Sequence, residues 1–413
     1  MAPIREKPTT AAERIGRSVG DTLFGRRKPR QLDDVFDVAR AVVPTANADR
    51  AVANADAVLL GPPTWVYDRE TRTYILRDPQ DANNASDVDE TAKRFLAAQK
   101  VLSENAVAES RALDALSEDE RAQYLALKQQ LLVPGEGRPQ GDPVAVLALQ
   151  KLLLQGRLPG VDALAGGQNL LESLYGLTSA PLADGIDRTQ MMSDLVQELA
   201  TPESINQNGP TCVATATQIH LIQNNPAEFV RLFTGLASPE GRVTMAGGEE
   251  LVRDVASEPD GEEGPAVSLE PGTDGIVTGP EDGDTQVQEI MGAALTEYAN
   301  GDDDYTGRSG LDGEQANRLA EQLLGQTFEL HEFEGTEADE AEMAALIERA
   351  RAGESFFVGV RQMDGYSGHK LLVTGIIERD GEEYVTYVNP WGRVEAMPLS
   401  SFETRVRNAN VGA

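Results

Sequence analysis

Apolar positions in the first half of the chain recur with the spacing of amphipathic helices. The segment Ser117–Glu120 has the form of a capping box, in which a serine and a glutamate three residues apart satisfy backbone N–H groups at a helix start. Asp142 and Pro143 have the form of an N-cap followed by a first helical residue, and Asp187 is placed to cap another helix. The pattern predicts a mostly helical domain over residues 33–200, with a small hairpin near its start.

After residue 200 the pattern changes. Residues 212–235 predict two helices, and residues 314–325 and 337–352 each predict one amphipathic helix. Four later segments are rich in β-branched and aromatic residues, and they predict strands at 355–360, 369–377, 383–389 and 393–397. Helices followed by an antiparallel sheet indicate an α+β fold.

Length and charge limit the domain organisation and the class of partner. The 413 residues suffice for two or three domains, and they divide into a disordered basic tail at 1–32, the helical domain at 33–200 and a C-terminal domain at 201–413. The net charge is −32, and residues 240–349 alone hold 29 Asp and Glu against 5 Arg, which indicates an acidic insertion around 240–310. Such a chain repels nucleic acid and anionic membranes, so neither is expected as a partner.

Several classes of protein and site find no support in the sequence. No segment has the roughly 18 apolar residues needed to cross a bilayer, and the N-terminus lacks the apolar core of a secretory signal. We expect synthesis as a cytoplasmic protein, with export without a cleaved signal as the alternative. The single cysteine rules out an intrachain disulfide and a zinc site built on several thiolates. The acidic run at 300–304 does not fit an EF-hand, so no cofactor or metal is predicted.

The single cysteine, Cys212, stands where a helix is predicted to begin. It follows a turn-forming segment at 206–210 and opens the run CVATATQIHLIQ. A thiol is nucleophilic as the thiolate, and both a helix N-terminus and a nearby imidazolium favour that form. Cys212 therefore has one of these two features from its predicted position alone.

Three histidines could supply the imidazole. His369 begins a predicted strand directly after a glycine, which places its ring near the open end of the strand. His220 lies eight residues beyond Cys212 on the same helix, about 12 Å away along the axis, and is predicted to be a core or groove residue. His331 lies in an acidic segment and is predicted to be a solvated or ion-paired surface residue. His369 is the candidate base.

A catalytic imidazole also needs a residue that fixes its tautomer and ring plane. Asn389 ends the next predicted strand, in the segment VNPWG. A hairpin of these two strands can bring Asn389 to His369, and Trp391 can shield their hydrogen bond from water.

These motifs resemble the papain-like cysteine peptidases, and the segments HKLLVTGI and YVNPWG are similar to the bacterial peptidase C39-like branch. The separation of 157 residues between Cys212 and His369 is near that of papain relatives. The resemblance covers about residues 203–400. It implies that Cys212 is the nucleophile, His369 the base and Asn389 the orienting residue.

The resemblance further implies that a glutamine ahead of the cysteine helps to form the oxyanion hole. Gln207 takes this role, together with the backbone N–H of Cys212. The family usually has this glutamine six residues before the cysteine, whereas Gln207 lies five before it and Asn206 six before it. Val213 also replaces the glycine or tryptophan that usually follows the nucleophile.

The function implied is a thiol hydrolase that cleaves a peptide, isopeptide or amide bond through an acyl-enzyme, with a peptide or protein as substrate. Three alternatives stay open: a transglutaminase-like acyl transferase, an exported bacterial effector with the same triad, and a non-catalytic papain-fold binding module. The sequence does not predict the substrate or the oligomeric state.

Overall fold

The computed structural model describes eleven segments of the chain, namely residues 46–60, 64–68, 73–77, 88–134, 141–207, 210–253, 285–301, 310–334, 337–363, 366–379 and 381–413. The protein is α+β, as predicted, with a helical N-terminal part and a sheet in the C-terminal part. The predicted basic tail and much of the predicted acidic insertion, including most of the run at 300–304, lie outside the described residues.

Seven α-helices before residue 201 are described: α1 (Ala46–Leu59), α2 (Val88–Glu104), α3 (Ala106–Leu113), α4 (Glu118–Leu131), α5 (Pro143–Leu154), α6 (Leu170–Leu177) and α7 (Arg188–Ala200). The three predicted N-caps are confirmed, because the side chains of Ser117, Asp142 and Asp187 accept hydrogen bonds from the first turns of α4, α5 and α7. These local hydrogen bonds satisfy helix N–H groups that have no partner within the helix.

Six further α-helices follow: α8 (Cys212–Asn224), α9 (Pro226–Ala237), α10 (Gln286–Asn300), α11 (Gly313–Leu324), α12 (Glu337–Arg351) and α13 (Leu399–Arg405). The predicted break in the first pair is confirmed, since α8 ends at Asn224 and α9 begins at Pro226. Proline suits a first helical position because a backbone N–H at that position would have no acceptor within the helix, so nothing is lost when the N–H is absent.

The main sheet has eight strands: β1 (Thr64–Asp68), β2 (Thr73–Arg77), β5 (Phe328–Glu332), β6 (Phe356–Met363), β7 (Tyr366–Arg379), β8 (Glu382–Asn389), β9 (Arg393–Pro398) and β10 (Val406–Gly412). Their order is β1-β2-β9-β8-β7-β6-β10-β5, and all neighbours are antiparallel. Strands β6 to β9 are the four predicted strands. Two short strands, β3 (Arg242–Thr244) and β4 (Glu250–Val252), form a separate antiparallel pair.

Three features of the main sheet were not predicted: strand β5, strand β10 and the attachment of the hairpin. Strands β5 and β10 pair with each other, and β10 also pairs with β6, so they extend the sheet beyond the predicted strands. The predicted hairpin, β1 and β2, joins the opposite edge, where Tyr74 of β2 pairs with Ala396 of β9. The main sheet therefore combines strands from before and after residue 200.

The two faces of the sheet contribute to different apolar cores. Leu372 and Val388 belong to a core that also holds α8 and extends to helices of the N-terminal part. Leu371 and Val373 belong to a second core, together with residues of α12 and α13. Neighbouring residues of β7 therefore point into different cores, as the alternation of a strand requires. No helix in the described part of the chain has both the length and the apolar character to span a membrane.

Candidate active site

Cys212 is the first residue of α8, as predicted, and its side chain is buried, with 9% of the residue exposed. The thiol lies within reach of its own backbone N–H and that of Val213. These N–H groups belong to the first turn of α8, so they have no acceptor within the helix. Both favour the thiolate because the helix N-terminus carries partial positive charge.

The Cys212 thiol also faces the backbone N–H of Lys370 in β7. The ladder between β7 and β8 begins at Leu372, so Lys370 lies beyond the paired end of β8. Helix α8 packs on β7, and this packing brings the start of the helix to the open end of the strand. The cysteine therefore meets β7 at the residue next to His369.

His369 is buried and held on two sides. Its Nε2 lies 2.8 Å from Oδ1 of Asn389, the last residue of β8. The Trp391 ring stacks on the imidazole with 4.3 Å between centroids and 20° between planes. The predicted hydrogen bond and the predicted aromatic cover are therefore both present.

The surroundings of Asn389 determine the tautomer of His369. Asn389 Nδ2 donates to Glu395 Oε2 at 3.1 Å, and the backbone N–H of Trp391 donates to Asn389 Oδ1 at 3.2 Å. Since a carboxylate accepts hydrogen bonds, the amide oxygen of Asn389 must face the imidazole. His369 then carries its proton on Nε2 and has its lone pair on Nδ1, as a base that acts through Nδ1 requires.

Glu395 in β9 is a further member of the site, which the sequence motifs did not indicate. It is buried, with 1% of the residue exposed, and Oε1 lies 3.0 Å from Nε of Arg393. The guanidinium of Arg393 also lies over the ring of Trp391, 5.4 Å from its centroid. A buried carboxylate needs such a partner. A glutamate in the middle of the strand RVEAM was the available signal.

Burial makes the resting site electrically neutral at the thiol and the imidazole. Burial lowers the pKa of His369 to about 4; the hydrogen bond to Asn389 opposes this shift and the positive charge of Arg393 adds to it. Burial also raises the pKa of the Cys212 thiol, against the effects of the Lys370 N–H, the Lys370 charge and the helix N–H groups. At neutral pH the site holds a thiol and a neutral imidazole.

Cys212 and His369 lie on adjoining elements, but no hydrogen bond joins the two side chains among the described contacts. His369 lies on the side of β7 that also presents Leu371, whereas the thiol meets the backbone of Lys370. Catalytic hydrogen bonds are often long or absent without substrate, so this arrangement is compatible with a resting site.

Gln207 and Asn206 lie in the non-helical segment before α8, which we call the strap (residues 205–207). The strap lies beside the turn that follows β8. The backbone N–H of Gln207 donates to the carbonyl of Pro390, and Asn206 forms a β-bridge with Trp391. Gly392 allows this close approach, because it has a φ of +72° and a Cβ there would lie 2.9 Å from the Ser204 carbonyl oxygen. The strap that bears both oxyanion candidates is therefore attached to the turn that bears Trp391.

The other two histidines lie where they were predicted. His220 is a groove residue of α8; its ring contacts Phe357 of β6 edge-on at 5.2 Å, and burial lowers its pKa to about 4. His331 lies in β5, with Nδ1 3.2 Å from Glu342 Oε2. Neither residue has a described contact with Cys212 or Asn389.

Across the segments that the structure describes, no group of three or more His, Cys, Asp or Glu side chains is arranged to hold a metal ion. The functional groups described at the site are the Cys212 thiol, the His369 imidazole, the Asn389 amide and the Glu395 carboxylate.

Comparison with known proteins adds no relative to this picture. No protein-family model matches the sequence, and no curated protein matches it with significant similarity. The interpretation of this cluster as a candidate active site therefore depends on the geometry of Cys212, His369, Asn389 and Glu395.

Proposed function

We propose that the protein is a papain-like thiol hydrolase that cleaves a peptide, isopeptide or amide bond through an acyl-enzyme on Cys212. The observation that carries this proposal is the 2.8 Å hydrogen bond between His369 Nε2 and Asn389 Oδ1, covered by Trp391, on the strand that the Cys212 thiol contacts. The position of α8 beside an antiparallel sheet supports a papain-like arrangement of the C-terminal part.

In the first chemical step, His369 Nδ1 takes the proton of the thiol, and the resulting thiolate bonds to the carbonyl carbon of the substrate. The pKa of His369, about 4, supports this role because the base is neutral across the physiological range. Asn389 and Glu395 keep the Nε2–H tautomer in place throughout. The imidazolium formed is stabilised by its hydrogen bond to Asn389.

The tetrahedral intermediate carries its negative charge on the former carbonyl oxygen. The backbone N–H of Cys212 and the side-chain amide of Gln207 are the proposed donors to this oxygen, and the start of α8 adds its partial positive charge. His369 Nδ1 then gives its proton to the leaving amine as the C–N bond breaks. The product of this half-reaction is a thioester on Cys212.

Water completes the reaction. His369 Nδ1 takes a proton from water as its oxygen attacks the thioester carbon, and the C–S bond then breaks. The proton returns to the sulfur, which leaves a carboxylic acid and free Cys212. An amine in place of water would make the same site a transferase.

The direct test is substrate profiling of the purified protein with a diverse peptide library, read by mass spectrometry. We expect new peptide termini with the wild-type protein and none with the folded Cys212→Ala variant. Adding a primary amine to the same reaction distinguishes hydrolysis from transfer, because a transferase produces amine adducts. Cleavage that persists in Cys212→Ala rules out the thiol mechanism.

A non-catalytic binding module is the second candidate, and one observation favours it. The thiol is buried with a raised pKa and makes no hydrogen bond to His369 in the described structure. Labelling by a peptidyl electrophile separates the two candidates. A hydrolase reacts at Cys212 with saturation kinetics at neutral pH, whereas a binding module reacts slowly and in proportion to reagent concentration.

A further inference from the structure

A buried lysine adjoins the proposed nucleophile. Lys370 follows His369 in β7 and has only 5% of its surface exposed. Because side chains alternate along a strand, Lys370 points to the opposite face from His369, toward the core that contains α8. Its backbone N–H faces the Cys212 thiol. Cys212 therefore has an imidazole and an amine on successive residues of the adjoining strand.

The amine is held by two asparagines of β10. Lys370 Nζ donates to Asn408 Oδ1 at 3.0 Å and also to Asn410 Oδ1. The orientation of Asn410 is determined by its own donors, because Nδ2 lies 2.9 Å from the Gly313 carbonyl and 3.2 Å from Asn317 Oδ1. Its amide oxygen is therefore left to face the lysine. The pocket presents oxygen acceptors suited to an ammonium group.

A buried ammonium group also needs a counter-charge. The asparagines are neutral, and the acidic groups that act on Lys370 are Cys212 and Asp312. Asp312 is the N-cap of α11 and is exposed, so water screens its charge. His369 faces the other side of β7, and burial keeps it neutral. Cys212 is the buried group that can become an anion beside the lysine.

The protonation of Lys370 fits this arrangement. Burial lowers its pKa to about 8, while the charges of Cys212 and Asp312 raise it. Most of the amine is therefore protonated at neutral pH. The lysine charge in turn lowers the pKa of the Cys212 thiol, against the larger effect of burial.

We propose that Lys370 is the counter-ion of the Cys212 thiolate, held in place by Asn408 and Asn410. This inference rests on the proposed function in taking Cys212 as the nucleophile. Lys370 keeps its proton throughout the reaction. The thiol proton goes to His369 Nδ1 on one side of β7, and the charge left on sulfur is stabilised by the ammonium group on the other side. Lys370 thus stabilises the reactive form of the thiol, while His369 carries the proton.

The test measures the thiolate directly and needs no substrate. Because the chain has one cysteine, the rate of its alkylation by iodoacetamide at pH 7, where most of Lys370 is protonated, reports the thiolate fraction, with the Cys212→Ser variant as blank. We expect Lys370→Met to lower this rate about tenfold, which corresponds to a rise of one unit in the thiol pKa. An unchanged rate in folded Lys370→Met overturns the proposal.

A second variant decides the question where Lys370→Met does not fold. Asn408→Asp keeps the shape of the half-buried side chain and places a carboxylate 3.0 Å from Nζ. We expect the new charge to neutralise the lysine and to raise the thiol pKa in the same direction. Asn224→Asp, a matched change at the far end of α8, is the control and leaves the alkylation rate unchanged.

The outcome is separable from that of the proposed function. If no peptide is cleaved but Lys370→Met raises the thiol pKa, the hydrolase assignment fails and the ion pair stands. If peptides are cleaved by a Cys212-dependent reaction and the thiol pKa does not respond to Lys370, the hydrolase assignment stands and the counter-ion proposal is wrong.

Discussion

Two buried polar clusters in this protein differ in how completely their groups are paired. In the helical part, Glu109 accepts hydrogen bonds from Tyr124 at 2.7 Å, Lys128 at 2.6 Å and Gln150 at 3.0 Å. At the candidate site, by contrast, the Cys212 thiol has no described hydrogen bond to His369. Glu109 thus joins three helices through both of its carboxylate oxygens, whereas the thiol and the imidazole of the candidate site lie on adjoining elements without a described hydrogen bond between them.

The two clusters show that burial of polar groups does not by itself indicate a function. Burial shifts the pKa of Tyr124 as well as that of Cys212, so a shifted pKa alone does not distinguish the clusters. The distinguishing feature is an imidazole whose tautomer is set by Asn389 and Glu395, on the strand that is contacted by a thiol at a helix start. Structural networks also shift pKa values, so geometry has to identify the site.

The largest effect is expected for Cys212→Ala. This change removes the atom that forms the acyl-enzyme, so turnover falls to background. The thiol is small and has no described hydrogen-bond partner among side chains, so the melting temperature changes little. Activity assays and thermal denaturation of the same preparation check both statements. Wild-type turnover in this variant contradicts the proposed mechanism.

Gln207→Ala is expected to lower kcat by about 10²–10³, the cost of one lost oxyanion donor. KM changes less, because the donor acts mainly on the transition state. Asn206→Ala is the matched control, since both residues lie in the strap beside the turn at Pro390 and Trp391. If Asn206→Ala lowers kcat severely and Gln207→Ala leaves kcat unchanged, the oxyanion donor is Asn206 and not Gln207.

Glu109→Ala is expected to destabilise the protein by about 2–3 kcal/mol, because it leaves the buried groups of Tyr124 and Gln150 without their acceptor. Chemical denaturation measures this loss. Turnover per folded molecule stays at the wild-type value if the cluster is purely structural. A large fall in kcat without loss of stability would show that the helical part acts on the site.

The pH dependence of kcat/KM gives the smallest but most specific effect. His369 must be neutral to accept the thiol proton, and burial lowers its pKa to about 4. Activity is therefore lost as the pH falls through about 4, rather than through the ordinary histidine range near 6.5. His220 has a similarly lowered pKa, so His220→Ala is the control and leaves this acid limb in place. An acid limb near 6.5 contradicts the neutral resting site.

Local sequence features predicted much of the framework. Ser117, Asp142 and Asp187 cap the predicted helices because N-capping involves residues two or three positions apart. Strands β6 to β9 were predicted because alternation and β-branched content are local properties. The unpredicted strands β5 and β10 have their partners far along the chain, and neither has a strong local pattern of its own.

The sequence by itself determined that Cys212 begins a helix and that His369 and Asn389 lie on successive strands. A hairpin between neighbouring strands then brings His369 and Asn389 together, whatever the rest of the fold. This pairing could be foreseen because the strands are adjacent in sequence and antiparallel.

The tertiary structure alone decided which groups surround that pair. Lys370 meets Asn408 and Asn410 only because β10 inserts beside β6, and α8 brings Cys212 to the lysine from more than 150 residues away. The pKa of the Cys212 thiol depends on these long-range contacts. Burial and pairing depend on every element packed around a group, so no local pattern in the sequence could reveal them.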